Sequence, residues 1–272
     1  MLMAPTPPAR SWPEYGIEAA GLAVFVAGVG LCATLLEAPG SMLHQALQPW
    51  AGLRRGLLCL AVGILALLLA ESGWGRRSGA HLNPAVTLAF YYLGRISGRD
   101  ALGYGLAQAL GAVAGLAVVA SQLHMDFSGP PIQFLLLGPR LPGLGGLVAA
   151  FGVEAGTAYF LMLLVLAGAD WPALARHGAR PVAALLVFYM WVAVPISGFG
   201  MNPARALASA LLARSYASLW LYLCAPPLGM LLAAGNYGPA RRYLVSVLRR
   251  GGAGPEPSVA LVPCAPPVGL IP

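Results

Sequence analysis

The chain has 272 residues, of which 58% are hydrophobic and only 9% charged; its formal net charge is +7 and its mean hydropathy +0.75. Soluble domains carry about 25% charged residues, so a water-soluble globule could not cover its surface with polar groups, and lipid is the expected solvent. All 16 basic residues are arginine, which with the abundant Ala, Gly and Pro points to a GC-rich bacterial genome.

The first residues, Met1 to Glu14, are Pro-rich and polar and lack the basic region, short apolar core and cleavage site of a signal peptide. Residues 1–15 are therefore expected as an N-terminal cytoplasmic segment, and the first apolar run should stay as a membrane span. A helical span needs about 20 mostly apolar residues. Six stretches qualify: 16–36, 53–72, 101–121, 145–167, 180–196 and 217–236. The tail 251–272, rich in Pro and Gly, is expected to be disordered. Cys32, Cys59 and Cys224 fall inside apolar runs, and with Cys264 none forms a C-x-x-C pair, so they read as buried small hydrophobes. No metal site or cofactor is expected, and no nucleophile–base pair or phosphate loop suggests an enzyme.

Two further apolar pieces, 84–93 and 203–213, are too short to cross. Each follows a repeated phrase. The first copy is Ser78-Gly79-Ala80-His81-Leu82-Asn83-Pro84-Ala85, the second Ser197-Gly198-Phe199-Gly200-Met201-Asn202-Pro203-Ala204-Arg205. Asn is a preferred helix N-cap, Pro suits the first helical position, and Ala continues the helix at least cost. Both pieces thus read as half-helices, tolerated at membrane depth where protein or a wet cavity surrounds them.

The order is span, span, half-helix, span, and then the same again. Three full spans per repeat is odd, so the second repeat (143–240) runs upside down relative to the first (16–122). The half-helices then enter from opposite faces with their N-termini toward each other. On this layout Arg10, Arg76, Arg77, Arg95, Arg99, Arg176, Arg180, Arg241, Arg242, Arg249 and Arg250 lie inside, against Arg54, Arg55, Arg140, Arg205 and Arg214 outside. The bias places both termini in the cytoplasm, and the positive charge needs no nucleic-acid partner.

A cap Asn spends its carbonyl oxygen on the first turn and keeps its amide N–H groups to point outward. Two such caps at mid-membrane, each beside a helix dipole equivalent to roughly half a positive charge, would welcome an oxygen lone pair and repel cations. The bland alternative is two capped helices without a function. Arg205, in the first turn of the second half-helix, is costly at this depth and on the unfavourable end of the dipole. Backbone carbonyls of the preceding loop and pore water would favour it; the alternative is an Arg snorkelling outward.

These residues resemble the major intrinsic proteins, the aquaporins and glycerol facilitators, over roughly residues 14 to 240. The resemblance implies an all-α membrane protein: an aquaporin-like right-handed bundle of six transmembrane helices plus two half-helices, in an inverted repeat. It implies a passive channel for water and small neutral solutes, a homotetramer in the lipid bilayer, and a place in a bacterial inner membrane. It also implies that Glu18 and Glu154 brace the two half-helix loops, with Pro84, Ala85, Pro203 and Ala204 as structural support; an ion-pairing or pore-facing acid is the alternative for each glutamate. The narrowest ring would hold Arg205 and Phe199 from the second loop, Met190 beside Tyr189 from the fifth span, and Val62 from the second. His81 would line the inner vestibule, or serve as a structural hydrogen-bonding histidine. Strict water channels resemble one another in having Phe and His where this chain has Val62 and Met190. Phe199 is similar to glycerol facilitators, but Ala206 and Ala210 stand where those have an acidic and a basic residue. Gly111 with Gly115, and Gly152 with Gly156, form small-xxx-small pairs expected to pack helices closely.

Two rival classes remain. A secondary transporter would need coupling acids, for which only Glu18, Glu71 and Glu154 are available. A junction-type membrane protein with a poor pore would rest on Phe199 crowding the constriction.

Overall fold

The computed structural model describes residues 12–122 and 137–250. Residues 1–11 of the N-terminal segment and the tail 251–272 with Cys264 lie outside the described residues. Six helices are long and apolar enough to cross a membrane: α1 (Trp12–Glu37), α3 (Ala51–Glu71), α6 (Gly98–Gln122), α7 (Gly143–Asp170), α9 (Arg180–Ser197) and α11 (Leu219–Arg250). Two shorter ones, α5 (Pro84–Tyr92) and α10 (Pro203–Ala213), are the half-helices. At 9 and 11 residues they are roughly 14–17 Å long, about half the hydrocarbon thickness. Three pieces were not expected: α2 (Met42–Ala46), α4 (Gly73–Ser78) and α8 (Pro172–Ala175). The first span also begins before residue 16, so Trp12 to Tyr15 form its first turn.

Packing follows the two-fold logic of the repeat. The first and third spans of each half pair closely, α1 with α6 and α7 with α11, and α3 meets α9 across the halves. Each half-helix leans on the other half's third span, α5 on α11 and α10 on α6, and the two half-helices touch. In the first half, glycine permits the approach. A Cβ on Gly111 would sit 2.1 Å from the backbone oxygen of Ala19, and one on Gly115 2.3 Å from that of Ala23.

The second half differs from the expectation. A Cβ on Gly152 or Gly156 would meet nothing within 4 Å, whereas one on Gly229 in α11 would sit 2.0 Å from the oxygen of Ala155. The small residue that matters there is on the facing helix. Arg54, counted above only among the outer arginines, is 9% exposed. Its Nη1 donates to the carbonyls of Leu47 and Gln48, both at 2.9 Å, and its Nε lies 3.4 Å from Glu37. It ties the link between α1 and α3 to the bundle.

Candidate pore and its constriction

The loops before α5 and α10 have the same unusual backbone. Gly79, Ala80 and Leu82 have φ of 90°, 46° and 45°; Gly198, Phe199 and Met201 have φ of 79°, 57° and 41°. Four non-glycine residues in the left-handed region are costly, and such strain concentrates at functional sites. It is held by a matched set of acceptors. Ser78 Oγ takes the Ala80 N–H at 3.1 Å, and Ser197 Oγ takes that of Phe199 at 3.2 Å. Glu18 takes the N–H groups of His81 (3.1 Å) and Leu82 (2.6 Å); Glu154 takes those of Gly200 (2.7 Å) and Met201 (2.6 Å). Ser78 and Ser197 also donate to Glu18 and Glu154, at 2.7 and 2.6 Å. Both glutamates are fully buried. Three successive N–H groups in each loop are thereby turned onto side chains, which leaves loop carbonyls for other partners.

The asparagines take two of those carbonyls. Asn83 Oδ1 caps α5 through the Ala85 N–H (2.9 Å), and Asn202 Oδ1 caps α10 through Ala204 (3.0 Å) and Arg205 (3.4 Å). Their amide nitrogens cross over: Asn83 Nδ2 donates to Met201 O at 3.0 Å, and Asn202 Nδ2 to Leu82 O at 2.7 Å. The expectation that both N–H groups of each amide face outward is therefore half right. One holds the opposite loop, and one remains on the wall that both side chains line.

Arg205 is 8% exposed and its Nη1 donates to Phe199 O. The guanidinium folds back on its own loop and does not snorkel. Pro84, Ala85, Pro203 and Ala204 form the first turns of the half-helices and stay off the cavity wall.

A cavity of about 370 Å³ runs along this junction. Asn83, Asn202, Arg205, Phe199, Val62, Met190 and His81 all line it. Four spans add one face each at a spacing of four: Phe25 and Val29; Val62, Ala66 and Ala70; Leu161, Val165 and Ala169; Val182, Leu186 and Met190. Among the described residues, the third spans α6 and α11 contribute no side chain to the wall. The wall is amphipathic: the loops bring backbone, asparagine amides and Arg205, and the spans bring apolar side chains. His81 lines the cavity too, stacked on Phe90 at 4.7 Å with its Nδ1 3.0 Å from Thr87 Oγ1.

The profile of the Major intrinsic protein family matches residues 17–237. The chain belongs to this family. It is 35% identical over 255 residues to the lens fiber major intrinsic protein of Gallus gallus, covering 86% of this chain and 92% of that protein. It is 34% identical over 181 residues to a glycerol uptake facilitator protein-like 6 of Lactiplantibacillus plantarum, covering 64% of this chain and 82% of the relative. The X-ray structure of the aquaglyceroporin from Plasmodium falciparum superposes with a TM-score of 0.70 at 21% identity, over 86% of this chain and 98% of that one. The bundle is thus the family fold, and the chain is an integral membrane protein.

The family fold also shows what the sequence reading left out. Tyr104 and Tyr222 each donate a hydroxyl to the carbonyl of the loop serine, Ser78 (2.8 Å) and Ser197. Thr87 and Gln108 join the Glu18 network. The tyrosines could have been found by aligning the two halves on their asparagines, since they fall one residue out of register, 21 after Asn83 and 20 after Asn202. The four-residue ladders of small and branched residues were a second readable signal.

Proposed function

We propose that the protein is a passive transmembrane pore that conducts water and also admits small neutral solutes such as glycerol, down osmotic or concentration gradients, while excluding ions and protons. The observation that carries this reading is the shared cavity wall. Paired asparagine amides at the half-helix junction and Arg205 beside Phe199 face the same narrow tube. Two helix N-termini and one guanidinium make that stretch positive, which opposes cations and hydronium but offers donors to a hydroxyl or water oxygen. The spans' wall of Val, Leu and Met suits the carbon side of a polyol. Val62 and Met190 leave more room than a Phe and His pair would, which supports the broader solute range.

The termini would be cytoplasmic and the membrane a bacterial inner membrane, from the arginine bias. Apolar side chains such as Leu57, Leu60, Ile64 and Leu68 on α3 are exposed in the single chain; the family resemblance supports a homotetramer burying part of that surface.

Stopped-flow light scattering of proteoliposomes tests the reading, first with a sucrose gradient and then with glycerol. Water permeability at the level of empty liposomes, with folded protein, would overturn it. Glycerol flux that dominates over water would move the protein to the facilitator class. Saturable, proton-coupled uptake would favour the transporter.

A further inference from the structure

We infer that Thr87 and Gln108 are positioning residues of the pore, which hold the imidazole of His81 as the Nδ1–H tautomer and make Nε2 its acceptor nitrogen. The tautomer follows from donor and acceptor accounting, step by step, starting at Glu18.

Glu18 receives four donors: Ser78 Oγ and the His81 N–H on Oε1, and the Leu82 N–H and Gln108 Nε2 on Oε2. That fills an ionised carboxylate. Its charge sets the Gln108 amide. Turned the other way, Gln108 would aim its carbonyl at a carboxylate oxygen now 2.8 Å from Nε2. In the observed orientation Oε1 has no hydrogen-bond partner among the described residues, although the side chain is fully buried. A buried acceptor is left unmade so that both donors can be used.

The second donor goes to Thr87 Oγ1, 3.2 Å away, so that oxygen accepts. Thr87 Oγ1 also lies 3.2 Å from the carbonyl oxygen of Asn83. The threonine hydroxyl donates there, back along α5 to the carbonyl four residues earlier, as a helical threonine does. Its single hydrogen is then spent. The remaining contact, His81 Nδ1 at 3.0 Å, can only be an N–H donating to Oγ1. Nδ1 carries the proton, and in the neutral ring Nε2 is the acceptor. Stacking on Phe90 at 4.7 Å and an edge contact with Tyr104 at 5.2 Å keep the ring from turning over.

The second repeat lacks the device. Gly200 and Ala206 stand at the positions of His81 and Thr87, while Arg205 stands at that of Val86. Beside its asparagine, each half thus contributes one further polar side chain to the cavity wall: a cationic donor from the second, a histidine with an acceptor nitrogen from the first. A solute hydroxyl or water donates at His81 and accepts at the asparagines and Arg205. This consequence for passage rests on the cavity being the conducting pore; the tautomer does not.

The test is ¹⁵N NMR of the full-length protein in lipid, labelled at histidine, above the pH at which the ring is charged, with His81 assigned by its loss in His81→Gln. The expected wild-type spectrum has His81 protonated at Nδ1 alone. Thr87→Ser should keep that signal, while Thr87→Val and Gln108→Leu should shift the ring toward the Nε2–H form that free histidine favours. A wild-type His81 protonated at Nε2 overturns the inference even if no variant folds. So does an unchanged Nδ1–H ring in both Thr87→Val and Gln108→Leu. Since no transport is needed, the expected tautomer in a protein that conducts nothing would refute the pore reading alone.

Discussion

Asn83 and Asn202 each bond to the carbonyl that immediately precedes the other: Asn83 Nδ2 to Met201 O at 3.0 Å, Asn202 Nδ2 to Leu82 O at 2.7 Å. The same two residues cap α5 and α10 through their oxygens. Each amide thus serves two elements at once, and the half-helix junction is closed by a reciprocal pair of bonds between segments far apart in sequence. Substitutions can separate the two roles. Asn202→Ala should lose both the cap and the crossing bond, about 2–3 kcal/mol together, read as a lower unfolding temperature in detergent. Asn202→Asp keeps the capping oxygen but sets a carboxylate against Leu82 O. It should open the junction and convert a positive constriction into one that admits cations, seen as cation leak in liposomes. An Asp variant as tight to cations as the wild type would remove Asn202 from the barrier.

Arg205 is held by its own loop, through Phe199 O, so its position is independent of any solute. It is also the positive charge that faces the buried Glu154 carboxylate. Arg205→Val should therefore do two things. It removes a charged hydrogen-bond donor from the wall, and a change of about 1.5–3 kcal/mol in the barrier is roughly a tenfold to hundredfold change in flux of larger or charged solutes. It also leaves Glu154 with hydrogen bonds only, which should lower stability. Flux of urea and small ions in proteoliposomes checks the first effect; selectivity equal to wild type would count against Arg205 as the filter.

The spans and half-helices are legible in the sequence because their signals are local: apolar length for α1, α3, α6, α7, α9 and α11, and an Asn-Pro start for α5 and α10. Positions counted back from the two asparagines reach Val62, Met190 and Phe199, which the fold brings to one cavity. What is not legible depends on the partner. A buried Arg54 and an exposed topology arginine look alike until Leu47 and Gln48 turn their carbonyls toward one of them. Gln108 carries no pattern of its own; only the approach of α6 to α1 and α5 gives its amide two acceptors. Gly152 and Gly156 satisfy the spacing rule yet face open space, because spacing says that a helix could be approached closely, not from which side.

That last difference gives a sharp packing test. A methyl on Gly229 would collide with the backbone oxygen of Ala155 at 2.0 Å, and backbone cannot rotate away as a side chain can. Gly229→Ala should force α7 and α11 apart and destabilise by about 1–3 kcal/mol. Gly152→Ala meets nothing within 4 Å and should be neutral or stabilising, since Ala is favoured over Gly in a helix by about 1 kcal/mol. Thermal unfolding of the two variants in the same detergent compares them directly. Equal loss in both would mean that the α7–α11 contact is looser than described.

The width of the filter turns on two side chains that a residue swap can restore to the strict water-channel pattern. Val62 and Met190 line the cavity with Phe199 and Arg205, from α3 and α9, which pack on each other beside Gly63. A Cβ on Gly63 would already meet Val187 at 2.3 Å and the oxygen of Ala183 at 3.1 Å, so α3 cannot shift toward α9 to absorb a larger residue at 62. The added ring volume of Val62→Phe must project into the cavity. Met190→His adds a polar donor or acceptor to the side of the wall that the spans make apolar. The double variant should cut glycerol permeability by roughly tenfold or more, the effect of about 1.4 kcal/mol of barrier. Water, which needs less width, should keep most of its flux. Val62→Phe alone should show the steric part, and Met190→His alone the polar part. If glycerol and water fall together in the double variant, the pore has been blocked rather than narrowed. If glycerol is unaffected, the constriction lies elsewhere along the tube, and the half-helix junction at Asn83 and Asn202 becomes the place to look for it.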